Sequence, residues 1–140
     1  MSDKPLPRVN AINRPFWDGC NRDELVLQQC DDATCRRFVY YPRVCCPYCG
    51  GGDLTWRKVS GRGRIVTYTV VHRPQHQSFF AEAPYYVIAV ELEEGPLLYS
   101  RLATNPAANP AAQAQLMRHP VRVVFSDYAP KQKLPYFELA

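Results

Sequence analysis

The stretch "VCCPYCG", residues 44–50, puts three cysteines within five positions. Cys46-Pro-Tyr-Cys49-Gly50 has the form of a zinc knuckle. Two residues between thiolates let both reach one ion, and a glycine after the second permits the tight turn that aims backbone N–H groups at sulfur. Cys46 and Cys49 therefore pair, and Cys45 is left out. A matching pair stands upstream in "CDDATC", 30–35, where four residues separate Cys30 from Cys35. That spacer is at the long end of the range zinc sites use. Arg36 occupies the position where a knuckle prefers glycine. The two pairs, ten residues apart, make a four-cysteine ribbon for one Zn2+ per chain. Such a site offers no open coordination position, so it is structural and not catalytic. Free core thiols, or iron in place of zinc, are the competing readings.

Outward from the cysteines, residues 1–13 are polar and aperiodic and read as an N-terminal arm. Asn13 is a candidate cap, and Pro15 suits a first helical turn, so a short helix is predicted over about 15–22. "ELVLQQC" then reads as extended. Helix and ribbon together cover 14–52, ending in the hinge "GGG". Beyond it, 53–140 reads as β: "LTWRKVS", "GRIVTYTVVHR", "YYVIAVELEEG", "PLLYSRLA", "PVRVVFSDYA" and "LPYFELA" are rich in β-branched and aromatic residues and separated by turns. Tyr86, Ile88, Val90 and Leu92 alternate with exposed-type partners, as do Val121, Val123 and Phe125. A short helix is expected over about 110–117. No helix is long enough for βαβ units. The fold class expected is mainly β: a short helix, a four-cysteine zinc ribbon and a five- or six-stranded OB-fold barrel.

The formal net charge of +4 is concentrated in the front half. Arg36, Arg37, Arg43, Arg57, Lys58, Arg62 and Arg64 face only Asp53 between 36 and 64, whereas 65–140 is balanced. Zinc with four thiolates adds a net of minus two, so part of this cluster can simply neutralise the metal site. No apolar run of membrane-spanning length appears, and "MSDKPLPRVN" has no apolar signal region. A reducing, cytoplasmic setting is the expectation, in which six cysteines are metal ligands or thiols rather than disulfides.

Few residues carry catalytic chemistry. Cys20 and Cys45 lack a neighbouring base in any recognisable motif, and buried small hydrophobes are the better reading of both. His72 and His76 are four apart, but Pro74 between them argues against a helical pair. Nucleophile-elbow, phosphate-loop and HExxH motifs are absent.

Over about residues 14–138 the chain resembles the acyl-CoA-associated family that joins a rubredoxin-like zinc ribbon to an OB-fold, known as domain of unknown function thirty-five. "RPFWDG", "LVLQQC", "YYPRVCCPYCG", "SGRGRIVTYTVVHRP", "APYYVIAVELEEGP" and "LPYFEL" carry the resemblance. Two features depart from the family. Its first knuckle usually has two residues between the cysteines, and its late turn usually reads Gly-Met-Pro where this chain has "MRHP". The resemblance implies a helper subunit, assembled in a hetero-oligomer with thiolase-superfamily enzymes: thiolases, hydroxymethylglutaryl-CoA synthases or retro-aldolases. The partner would hold the catalytic residues. This chain, no enzyme alone, would be a required or stimulating subunit that supports the complex and helps position acyl-CoA.

On that reading Arg57, Lys58, Arg62 and Arg64 face CoA phosphates, and "SFFAEAPYY" offers an aromatic wall. Contacts to acyl-CoA or partner are then expected from His72, Arg73, Phe79, Phe80 and Tyr85. The alternative is a single-strand nucleic-acid binder stacking bases on Tyr68, Phe79, Phe80, Tyr85 and Tyr86. The balanced charge of 65–140, where such a groove would lie, speaks against it.

Overall fold

The computed structural model describes residues 4–140; residues 1–3 of the expected arm lie outside the described residues. Helix α1 spans Arg14–Asn21, with Pro15 in its first turn. Its inner face buries Phe16, Gly19 and Cys20. Gly19 is required by close approach: a Cβ there would lie 2.7 Å from Val26 Cγ2 and 2.9 Å from the Glu24 carbonyl oxygen. Asn13 precedes the helix but does not cap it. Its side chain turns to the arm instead. It accepts from Asn10 N–H (2.8 Å) and donates to the Arg8 carbonyl (3.1 Å).

Strands β1 (Val26–Cys30), β2 (Phe38–Val39) and β3 (Leu54–Lys58) form an antiparallel sheet in the order β2-β1-β3. The sequence places residues after 52 with the barrel. Leu54–Lys58 instead pairs along its whole length with β1, from Cys30–Leu54 to Val26–Lys58. The reason is that β1 has a free edge opposite β2. "LTWRK" supplies β-formers that fill it before the chain turns at Val59, whose N–H donates to the Leu25 carbonyl (2.9 Å).

The barrel is built from β4 (Arg62–Val71), β5 (Tyr85–Leu92), β6 (Leu97–Arg101), β7 (Pro120–Ala129) and β8 (Gln132–Leu139), in the order β6-β5-β4-β7-β8. A register shift between Ile65 and Thr67 bends β4. That bend lets one long strand pair with β7 at its start and with β5 throughout. The barrel is nearly closed by a parallel bridge from Leu102 to Phe137 on β8. The "MRHP" segment follows a short helix, α2 (Pro110–Ala114), and turns through Arg118 at φ 63° into β7. Gln77–Glu82, read from sequence only as aromatic wall, forms a 3-10 turn.

The main core unites both parts. Phe16, Cys20, Leu25 and Leu27 pack in one cluster with Ile65, Ile88, Val90, Leu98 and Phe137. A satellite core of Cys30, Val39 and Cys46, with Cys35 and Leu54 against it, belongs to the ribbon. Among the described residues no helix is long and apolar enough to cross a membrane.

Candidate metal centre and aromatic cleft

The Sγ atoms of Cys30, Cys35, Cys46 and Cys49 all lie within 4.8 Å of one another. Cys30–Cys49 is 3.6 Å and Cys35–Cys46 is 3.7 Å. A tetrahedron with zinc–sulfur bonds of about 2.3 Å has sulfurs about 3.8 Å apart. The donor set therefore fits a zinc ion.

Each knuckle is shaped by its own sequence. In the second, Gly50 takes φ +78°, a conformation that glycine adopts without Cβ strain. The turn is closed by Gly50 N–H to the Cys46 carbonyl and Cys46 N–H to the Gly51 carbonyl, both 2.8 Å. Gly51 N–H points at Cys49 Sγ, 3.4 Å away. In the longer first knuckle, Asp32 does the shaping. Its carboxylate accepts from Thr34 N–H (2.9 Å) and Thr34 Oγ1 (2.6 Å), and its carbonyl from Cys35 N–H (3.0 Å). Arg36 then adopts φ 55°, the left-handed turn a glycine would take. Two extra residues are thus absorbed in an aspartate-centred turn, and Cys30 and Cys35 still converge.

The loop entering the second knuckle is held by Gln28, which is buried on β1. Its side-chain amide donates to the Arg43 carbonyl (2.8 Å) and accepts from Arg43 N–H (2.7 Å). Gln28→Leu leaves both backbone groups without that partner. We expect a loss of about 2–3 kcal/mol and weaker zinc retention, measured by denaturant melts and competition with a chelator. Unchanged retention would show that the loop needs no such clamp.

The remaining cysteines separate. Cys20 is fully buried, and burial pushes its thiol up to about 12, which makes it inert at neutral pH. Cys45, expected to be buried, is exposed, while its neighbour Cys46 is buried in the ribbon core.

The basic residues do not form one patch. Arg57 pairs with Asp31 (3.2 Å), and Arg36 reaches the same carboxylate oxygen (3.3 Å). Thr55 Oγ1 also donates to Asp31, and this hydrogen bond, followed by Arg57 and Arg36, holds the Asp31 carboxyl below the usual carboxylate range. Lys58 is exposed at the end of β3. Arg62 pairs with Glu93 (3.2 Å), and Arg64 donates to the Arg118 carbonyl (3.3 Å). His72 and Arg73 are exposed just beyond the far end of β4. Some eight to ten residues of strand, roughly 25–30 Å, divide them from Arg62 and Arg64. Phe79 and Tyr85 come together in a cleft near that far end, whereas Phe80 faces solvent, 60% exposed. Tyr86 is buried and Tyr68 packs edge-on against it, 5.8 Å between centroids, so both are core rather than base-stacking platforms.

That cleft, about 380 Å3, runs between α1 and the barrel. Phe16 and Trp17 line it from α1, and Tyr85, Leu98, Tyr128 and Tyr136 from the barrel. At one rim Arg101 stacks on Tyr85, its guanidinium carbon 4.0 Å from the ring centroid. Arg101 and Lys4 share the Glu82 carboxylate, each at 2.8 Å. Burial would raise the Glu82 carboxyl, but the hydrogen bonds from Lys4 and Arg101 outweigh it and hold the group below its ordinary value. Sequence reasoning missed Lys4, Arg101, Trp17, Tyr128 and Tyr136, which are scattered along the chain and share no motif.

Comparison with known proteins gives a consistent set of likenesses. Residues 17–55 match the model described as "ChsH2, rubredoxin-like zinc ribbon domain", and residues 56–126 match "ChsH2, C-terminal OB-fold domain". A Thermomonospora curvata protein named "Probable enoyl-CoA hydratase alpha subunit" is 37% identical over 102 residues, 73% of this chain. The chain spans only 30% of that relative's length. A "DUF35 domain-containing scaffold protein" of Pyrococcus furiosus is 37% identical over 99 residues, covering 71% of this chain and 67% of the relative. Among solved structures, a chain of the Ltp2-ChsH2(DUF35) aldolase superposes with a TM-score of 0.78 at 31% identity. That match covers 96% of this chain and 98% of the other.

Proposed function

The chain belongs to the ChsH2 (DUF35) family of zinc-ribbon and OB-fold proteins, and from that premise we propose that it is a non-catalytic accessory subunit of a thiolase-superfamily enzyme. In this role it works in the cytoplasm, within a hetero-oligomer, and helps position the acyl-CoA of its catalytic partner. The observation that carries the reading is the likeness, over nearly the whole of both chains, to a chain of the Ltp2-ChsH2(DUF35) aldolase. The chemistry of this chain agrees. One Zn2+ held by Cys30, Cys35, Cys46 and Cys49 has all its positions filled by thiolates, so it braces the ribbon and does not activate water. The buried Cys20 thiol, raised to about 12, is no nucleophile.

Contacts to partner or acyl-CoA belong at the far end of β4, from His72, Arg73, Phe79, Phe80 and Tyr85. Arg57 and Lys58 on the ribbon sheet, and Arg62 and Arg64 at the start of β4, are two separate candidates for contact with CoA phosphates. The test is purification of the tagged chain from its native host. We expect a thiolase-like protein in fixed ratio, acyl-CoA turnover by the complex, and none by this chain alone. Arg62→Glu with Arg64→Glu should weaken CoA binding by the complex about tenfold or more if those side chains face phosphate. Full turnover by the isolated chain, or a partner equally active without it, would overturn the reading.

A further inference from the structure

The cleft beside α1 has a feature that a passive packing defect would lack: a strap fastened to residues of its edge. The arm runs from Lys4 to the start of α1 and is pinned at both ends. Lys4 Nζ lies 5.3 Å from the ring centroids of both Phe79 and Tyr128, two residues of the cleft wall. It also binds Glu82, whose other oxygen holds the cleft residue Arg101. The Tyr128 hydroxyl donates to the Pro5 carbonyl at 2.6 Å. At the other end Asn13 donates to the Arg8 carbonyl and to the Tyr41 hydroxyl. The rim of the cleft and the anchor of the strap are therefore the same residues.

The walls decide what the cleft can hold. They are almost entirely aromatic and aliphatic carbon. Among the polar groups, Ser100 Oγ donates to the Pro135 carbonyl, Arg101 is held by Glu82, and the indole N–H of Trp17 is a single buried donor without a partner. A nucleotide base would need an edge of free donors and acceptors, and a charged group would need to displace the Glu82 pair. An apolar chain or ring needs neither. The volume falls within the range of about 300–1,000 Å3 that small-molecule sites occupy.

We propose that this cleft is a binding site for an uncharged hydrocarbon chain or ring, and that residues 4–8 are its latch. The Lys4–Glu82–Arg101 triad and the Tyr128–Pro5 hydrogen bond hold the latch shut. Opening it frees the faces of Phe79 and Tyr128 that Lys4 covers. The inference deepens the accessory-subunit reading and rests on it for one point only: the natural occupant would be the acyl part of an acyl-CoA.

The site can be tested on the isolated full chain. The protein has two tryptophans, Trp17 in the cleft wall and Trp56 on β3. In a Trp56→Phe protein the fluorescence reports on Trp17 alone. Titration with 1-alkanols from hexanol to dodecanol should give saturable changes. Affinity should rise about fourfold per methylene until the cleft is filled, then level off. Val87→Trp, in the Trp17→Phe, Trp56→Phe background and read by calorimetry, should abolish binding by filling the space. Circular dichroism and melting establish that this variant folds. If it does not fold, Ser100→Leu serves as the second filling variant. Glu82→Gln or Lys4→Gln should speed probe exchange at least threefold in stopped-flow measurements.

A linear, non-saturating response, or equal binding by a folded filled variant, would overturn the site. Unchanged exchange in both latch variants would overturn the strap. Because no partner enzyme is present, either failure leaves the co-purification result untouched. Loss of co-purification would likewise leave alkanol binding standing.

Discussion

Replacing Cys46 by serine is expected to reduce zinc from about one ion per chain to a small fraction of that, and to lower the melting temperature by about 10 °C or more. The cysteine end of the ribbon has little else to hold it. Its own core is Cys30, Val39 and Cys46, with Cys35 and Leu54 against them, and three of those five are proposed ligands of the metal. Without an ion the four sulfurs have no reason to approach within 4.8 Å of one another. Structural zinc sites draw much of their folding free energy from the metal. Cys45→Ser is the control: it changes an exposed thiol one residue away and should keep its zinc. Metal analysis and thermal melts of the two variants decide the matter. Equal metal loss in both would reject the ligand assignment.

Phe137→Ala should be the most damaging single change in the barrel, at about 3–5 kcal/mol. Phe137 is fully buried in the main core. It also stands where the sheet nearly closes, bridging Leu102 while its carbonyl accepts from Ala103 N–H at 2.8 Å. Removing the ring leaves a void at the seam of the barrel, where residues from β6 and β8 can collapse only by pulling the seam apart. Urea unfolding should show the midpoint falling with the slope unchanged. A loss below about 1 kcal/mol would mean that the seam repacks freely.

The parts legible in the sequence were those in which chemistry and spacing speak locally. Cys46-Pro-Tyr-Cys49-Gly50 carries its own geometry, and Tyr86, Ile88, Val90 and Leu92 mark a half-buried strand by alternation. Residues 54–58 were recognisable as a strand, but not as a ribbon strand, because β propensity names no partner. Pairing with β1 depends on a free edge some 25 residues away. The basic residues show the same limit. Arg57 meets Asp31 across the ribbon sheet, and Arg62 meets Glu93 from a neighbouring strand's turn, so a count of charge along the chain overstated what is free. The cleft was half visible. Phe79 and Tyr85 belong to an obviously aromatic stretch, but Lys4, Trp17, Arg101 and Tyr136 converge only when α1 docks on the barrel.

The docking of α1 also bears on how the chain is made. Asn21 at the end of this first helix donates to the Lys131 carbonyl and accepts from Lys133 N–H, and Asp23 just after it binds Lys133 Nζ at 2.8 Å. The helix thus finds its seat on β8, more than a hundred residues later. On a translating ribosome the ribbon can close around its ion early, because all four cysteines emerge together. The face of the helix that meets the barrel must wait until β8 has left the exit tunnel. Such long-range closure slows folding, and the interval is when a chaperone, or the partner's own nascent chain, would find Phe16 and Trp17 accessible.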